Sequence, residues 1–186
     1  MGKRTMLKIS ELKKSLKQLD QKELIQLVVD MSKLNTDVKE FLATKYGGEE
    51  VVNELFNKAK KKITNEFFPE KGMPKLRLTE AKKAIADFKK TTGDDMKVAD
   101  LMLLYVEMGT EFTRSYGDID WNFYNNMIVM YGKVAGACEK KEELYSLLKD
   151  RLYSCVLMSQ GTGWGYEDAL CEIYYSISWV TEEDDE

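Results

Sequence analysis

The chain has no histidine, only two prolines among 186 residues, and three cysteines. Without histidine, the Ser-His-Asp and Cys-His catalytic arrangements and every His-liganded metal site are excluded. The cysteines, Cys138, Cys155 and Cys171, are odd in number and spaced 17 and 16 apart. Zinc sites want pairs two to four residues apart, and disulfide frameworks want an even count, so buried thiols in a reducing compartment are expected. No apolar run approaches the roughly 18 residues of a membrane span. The opening Met1-Gly2-Lys3-Arg4-Thr5-Met6 lacks the apolar core of a signal peptide, and Met6 stands where myristoylation wants Ser or Thr. A cytoplasmic location without membrane attachment is the expectation.

What is present is a foldable composition, 44% hydrophobic and 32% charged, too apolar for disorder and long enough to bury a core. The net charge of −4 hides a split. Residues 1–93 hold 21 Lys+Arg against 13 Asp+Glu, whereas residues 94–186 hold 7 against 19. Nine of ten tyrosines and all three tryptophans follow residue 100. Such asymmetry points to an interaction surface or to head-to-tail contact.

Helical periodicity runs through the whole chain. Ser10 is the predicted cap of a first helix carrying Leu12, Leu16 and Leu19. Asp20 with Glu23 forms a capping box, with Leu19 and Leu24 as its staple, so a tight hairpin is predicted through Met31. Asn35 opens a third helix that Gly47-Gly48 ends, and a fourth runs from Glu49 to Phe68 before Pro69. The stretch 69–78 has no clear period. Thr79, Asp94 or Asp95, and Asp120 are the expected caps of the next helices, with Gly93 closing the first of these. A helix from about Lys141 to Met158 precedes the Gly161-Thr162-Gly163-Trp164-Gly165 break and a last helix from Tyr166. The period of two that a sheet needs is missing. The predicted fold is all-α, an irregular multi-helix bundle or a stack of antiparallel helical hairpins with about nine helices. One domain over 1–180 is expected, with a basic group at 7–68, a connection at 69–78 and an acidic, aromatic group at 79–180. Residues 181–186 are expected to form a disordered acidic tail.

Three patterns carry chemistry. Glu107 and Glu111, with Asp118 and Asp120 beyond them, offer oxygen ligands for a hard cation, but the EF-hand pattern is missing. The glycine loop precedes a helix N-terminus, where anions are favoured, yet lacks the strand and the Lys-Ser/Thr of a phosphate loop. The basic run from Lys58 to Lys90 includes Lys71, Lys75, Arg77, Lys82 and Lys83, which would engage a phosphate backbone if they shared one surface. No catalytic residue, metal ligand set or cofactor is assigned.

The residues 6–31 resemble a SAP-type DNA-binding hairpin in their Ile9-x-x-Leu12 and Leu24-Ile25 spacing, with a shorter connection and no Gly-containing loop. The strings Lys75–Ile85, Ser115–Asp120 and Gly161–Gly165, with the opening hairpin, resemble over residues 7–178 a bacterial family known only as a domain of unknown function. That resemblance implies one all-helical unit and supplies no catalytic residues. A non-catalytic protein-interaction module, binding a protein partner or itself, is the first functional expectation. Its contact residues are Tyr116, Asp118, Asp120, Trp121, Trp164 and Tyr166, on loops where function tends to sit. Nucleic-acid binding through the basic half is the second expectation, and a divalent-metal enzyme the third.

Overall fold

The computed structural model describes residues 7–181, which contain nine α-helices: α1 (Ile9–Leu16), α2 (Gln21–Leu34), α3 (Thr36–Tyr46), α4 (Gly48–Phe67), α5 (Leu78–Thr92), α6 (Asp95–Tyr116), α7 (Trp121–Cys138), α8 (Glu142–Met158) and α9 (Tyr166–Tyr175). The fold is all-α, with no strand among the described residues. The acidic segment 182–186 lies outside them.

Most boundaries follow from local chemistry. The Asp20 carboxylate accepts from Glu23 N at 2.9 Å while Glu23 Oε2 accepts from Asp20 N at 2.8 Å, the reciprocal box that starts α2. Asn35, Asp94 and Asp120 cap α3, α6 and α7 through their side chains. Gly93 ends α5 in the left-handed conformation. Two predicted caps are displaced. α1 starts at Ile9, because Glu11 reaches back to Lys8 N at 3.1 Å and makes Ser10 a first-turn residue. α5 starts at Leu78, so Thr79 lies inside it. Here Arg77 N is held by Glu66 Oε2 at 3.1 Å and Leu76 N by the Glu66 carbonyl at 2.9 Å, which fixes the chain direction one residue early.

The chain divides into two compact units, Met1–Glu49 and Glu50–Glu186. In the first, α1 to α3 are amphipathic helices that bury no side chain; Ile9, Ile25, Val28, Leu34 and Phe41 are all exposed. The second holds the core, from Ala59 to Ile177. α6 is its central helix, packed on α5, α7 and α8, and α9 closes against α7 and α8. At the α6–α7 crossing a Cβ on Gly109 would lie 2.3 Å from Met127 Sδ, so the absence of a side chain sets how closely the helices approach. Arg151 on α8 ties to α6, donating to Glu107 from Nε and Nη2 at 2.7 Å each and to Asp100 from Nη1 at 2.6 Å. The connection 69–78 lies inside this second unit.

Candidate functional site

The two loops singled out in the sequence meet. α6 ends at Gly117 (φ 95°), and the chain crosses 118–120 before Asp120 caps α7 by accepting from Phe123 N at 2.8 Å. One turn into α7, the Tyr124 hydroxyl turns back and donates to Asp118 Oδ1 at 2.6 Å. The other carboxylate oxygen rests on the second loop, for a Cβ built on Gly163 would stand 2.6 Å from Asp118 Oδ2. The Gly161–Gly165 loop needs left-handed backbone at Gly161, Trp164 and Gly165 (φ 74°, 61° and 66°). It is tethered by Gly161 N donating to Glu167 Oε2 at 2.9 Å. Burial, reinforced by the Asp118 carboxylate, pushes the Tyr124 phenol up to about 12, so it stays a donor at neutral pH.

Of the predicted contact residues, Tyr116, Trp121 and Trp164 are exposed, by 64%, 55% and 55%. Tyr116 stacks on Phe112 with ring centroids 4.6 Å apart and lies 6.4 Å from the Phe68 ring, with most of its surface still exposed. Asp118 and Asp120 are exposed residues, each with one carboxylate oxygen already in a hydrogen bond. Tyr166 is a correction. Its exposure is 0%, its ring packs on Tyr124 at 5.0 Å, and its hydroxyl shares a 2.6 Å hydrogen bond with Thr110 Oγ1. It is the core anchor of α9 and is not available to a partner. Tyr124, which joins the loops, carried no signal beyond its helical position.

The acidic constellation does not converge. Glu107 holds Arg151, Glu111 accepts from Ser115 at 3.4 Å, Asp118 takes the Tyr124 hydroxyl and Asp120 caps a helix. Among the described residues, no three His, Cys, Asp or Glu side chains are grouped to hold a metal ion. Cys138 and Cys155 are buried, and burial pushes both thiols up, Cys138 to about 11. Cys171 is half-buried and is raised in the same direction. Thiols shifted this way are poor nucleophiles.

Four of the five predicted basic residues share a groove and the fifth does not. Lys71, Lys75, Arg77 and Lys83 line one groove of about 600 Å³ with Lys62, but Lys82 turns away and donates to Asn126 Oδ1 at 2.7 Å. Lys82 and Lys83 are neighbours on α5, about 100° apart around the helix, so they cannot share a face. Carboxylates of Glu66, Glu70, Glu80 and Asp87 line the same groove. Arg77 is committed to Glu66 through Nε at 3.1 Å and Nη2 at 2.7 Å.

Among the described residues no helix is long and apolar enough to cross a membrane. No curated protein and no solved structure matches the chain. Residues 6–162 match a family of unknown function (DUF6155), and the chain belongs to that family.

Proposed function

We propose that this chain is a non-catalytic, cytoplasmic helical module that binds a protein partner or a second copy through the paired loops 116–121 and 161–165. The observation that supports the reading is three large aromatic side chains left exposed on two loops that the Asp118–Gly163 approach joins. Tyr and Trp supply large apolar area at low entropic cost and dominate binding energy at protein interfaces. Loops held by caps and by the Tyr124–Asp118 bond would lose little further freedom on binding.

The test compares a tagged wild-type chain with a Tyr116→Ala, Trp121→Ala, Trp164→Ala variant in quantitative affinity capture, with sedimentation to read self-association. Circular dichroism checks that the variant is folded. Loss of a partner, or of a dimer, in the variant supports the reading; identical capture and identical mass in both overturn it.

Nucleic-acid binding is the second reading, favoured by four of the five predicted basic residues lining one groove and opposed by the four carboxylates among them. Fluorescence anisotropy against mixed-sequence DNA and RNA at about 50 and 200 mM salt decides it. Phosphate-driven binding falls steeply over that range, and no binding at low salt removes the reading.

A further inference from the structure

A second groove, of about 550 Å³, lies at the other end of α6, roughly 27 Å along the helix from Tyr116 by its rise per residue. Its floor is apolar: Val98, Ala99 and Met102 of α6, Gly136 and Ala137 of α7, and Leu144 of α8. Its rim carries four lysines, Lys89, Lys133, Lys140 and Lys141, against one carboxylate, Asp95. That carboxylate is taken up by Lys89 at 3.4 Å. The ammonium groups of Lys133, Lys140 and Lys141 pair with no carboxylate among the described residues.

This concentration runs against the charge of its surroundings. Residues 94–186 hold only seven basic residues against 19 acidic ones, and three of the seven stand on this rim. The acidic residues beside these lysines in the sequence, Glu139, Glu142 and Glu143, are not among those lining the groove. The Glu139 carboxylate accepts from Ser178 N at 2.8 Å and Ser178 Oγ at 2.7 Å. Three exposed ammonium groups on the rim of one apolar groove give it a positive potential that favours a ligand of opposite sign.

We infer that this groove binds an acidic peptide segment of a partner protein, its carboxylates on Lys133, Lys140 and Lys141 and an aliphatic or aromatic side chain on the floor between them. The charge complementarity selects the acidic residues. The small side chains of Ala99, Gly136 and Ala137 leave room for the apolar one, with the flexible Met102 adapting to its shape.

The experiment uses the full chain and a fluorescein-labelled peptide of alternating glutamate and leucine. One control replaces glutamate with glutamine, and another is polyglutamate without leucine. Anisotropy is read at about 50 and 200 mM salt, across which exposed charges are increasingly screened. The Glu-Leu peptide is expected to bind and to weaken with salt, with both controls weaker by roughly tenfold or more. A K133E/K140E/K141E variant is expected to lose binding by at least about tenfold. A Gly136→Trp variant is expected to do the same by occupying the floor, since a Cβ there meets nothing within 4 Å, and circular dichroism checks that it is folded. Equal binding by wild type and both variants overturns the inference, as does polyglutamate matching the Glu-Leu peptide. Binding that appears only when residues 182–186 are deleted also overturns it, because the chain's own acidic segment would then be the occupant.

Discussion

At the scale of single residues, the site depends on a close approach that only glycine permits. Gly163 has no need of left-handed backbone; what it supplies is the space taken by Asp118 Oδ2. Asp118 cannot swing away freely, because Tyr124 holds its other oxygen at 2.6 Å. Gly163→Ala is therefore expected to destabilise the fold by about 1 kcal/mol, the low end of the cost of overpacking, because Gly163 is only half-buried and Asp118 is exposed. Asp118→Ala alone removes one hydrogen bond and should cost about 1 kcal/mol. The double variant should cost less than the sum of the two, since removing the carboxylate removes the clash. Urea unfolding of all four proteins measures that coupling, and strict additivity would show that the two loops do not press on each other. None of this contact could be read in the sequence. The partners lie 45 positions apart, and nothing in SYGDID or GTGWG says which loop the other meets. Tyr166 was opaque for the same reason, since the Thr110 that receives its hydroxyl stands 56 positions away.

At the scale of elements, what is local was legible and what is reached across space was not. Asp20, Asn35, Gly93, Asp94 and Asp120 set helix ends through bonds to residues within four positions, so their type and spacing announce them. Thr79 misled because the start of α5 is decided by Glu66, eleven positions before Arg77. That same glutamate makes the aperiodic connection 69–78 a strap. Leu76 is forced to φ 50°, an uncommon conformation for a branched side chain, while Glu66 grips the Leu76 and Arg77 backbone and the Arg77 guanidinium. Hydrogen bonds from Arg77 hold the nearly buried Glu66 carboxyl below the ordinary glutamate range. A folded-state value below the unfolded one adds stability that is fully present above about pH 4.3 and is lost as pH falls through and below it. Glu66→Gln should cost about 1.5–3 kcal/mol near neutrality, the worth of hydrogen bonds to a charged group. The gap between wild type and variant should close as the medium is acidified. Denaturant titrations of both proteins from pH 7 to about pH 3 test this, and a gap that stays constant would separate the strap from the charge of Glu66.

At the scale of the whole molecule, the two halves that differ in charge do not coincide with the two units that differ in burial. The charge changes sign near residue 93, inside the second unit, whereas burial begins only at Ala59. Periodicity finds α1 to α3 as readily as α6 to α8, because it reads which side chains are apolar and not what covers them. Leu24, Ile25, Val28 and Met31 form a helical stripe on α2, yet every one is exposed. Helices this short draw little stability from propensity alone and take most of theirs from packing. Backbone amides of α1 to α3 should therefore open with free energies near zero, while those of α6, α7 and α8 should exchange only through the global unfolding of the second unit. Native-state hydrogen exchange followed by mass spectrometry reads both groups in one experiment. Protection in α2 equal to that in α6 would mean that something covers the stripe in solution. A second run at tenfold dilution would then tell whether that cover is another copy of the chain, because only an intermolecular cover weakens as the protein is diluted.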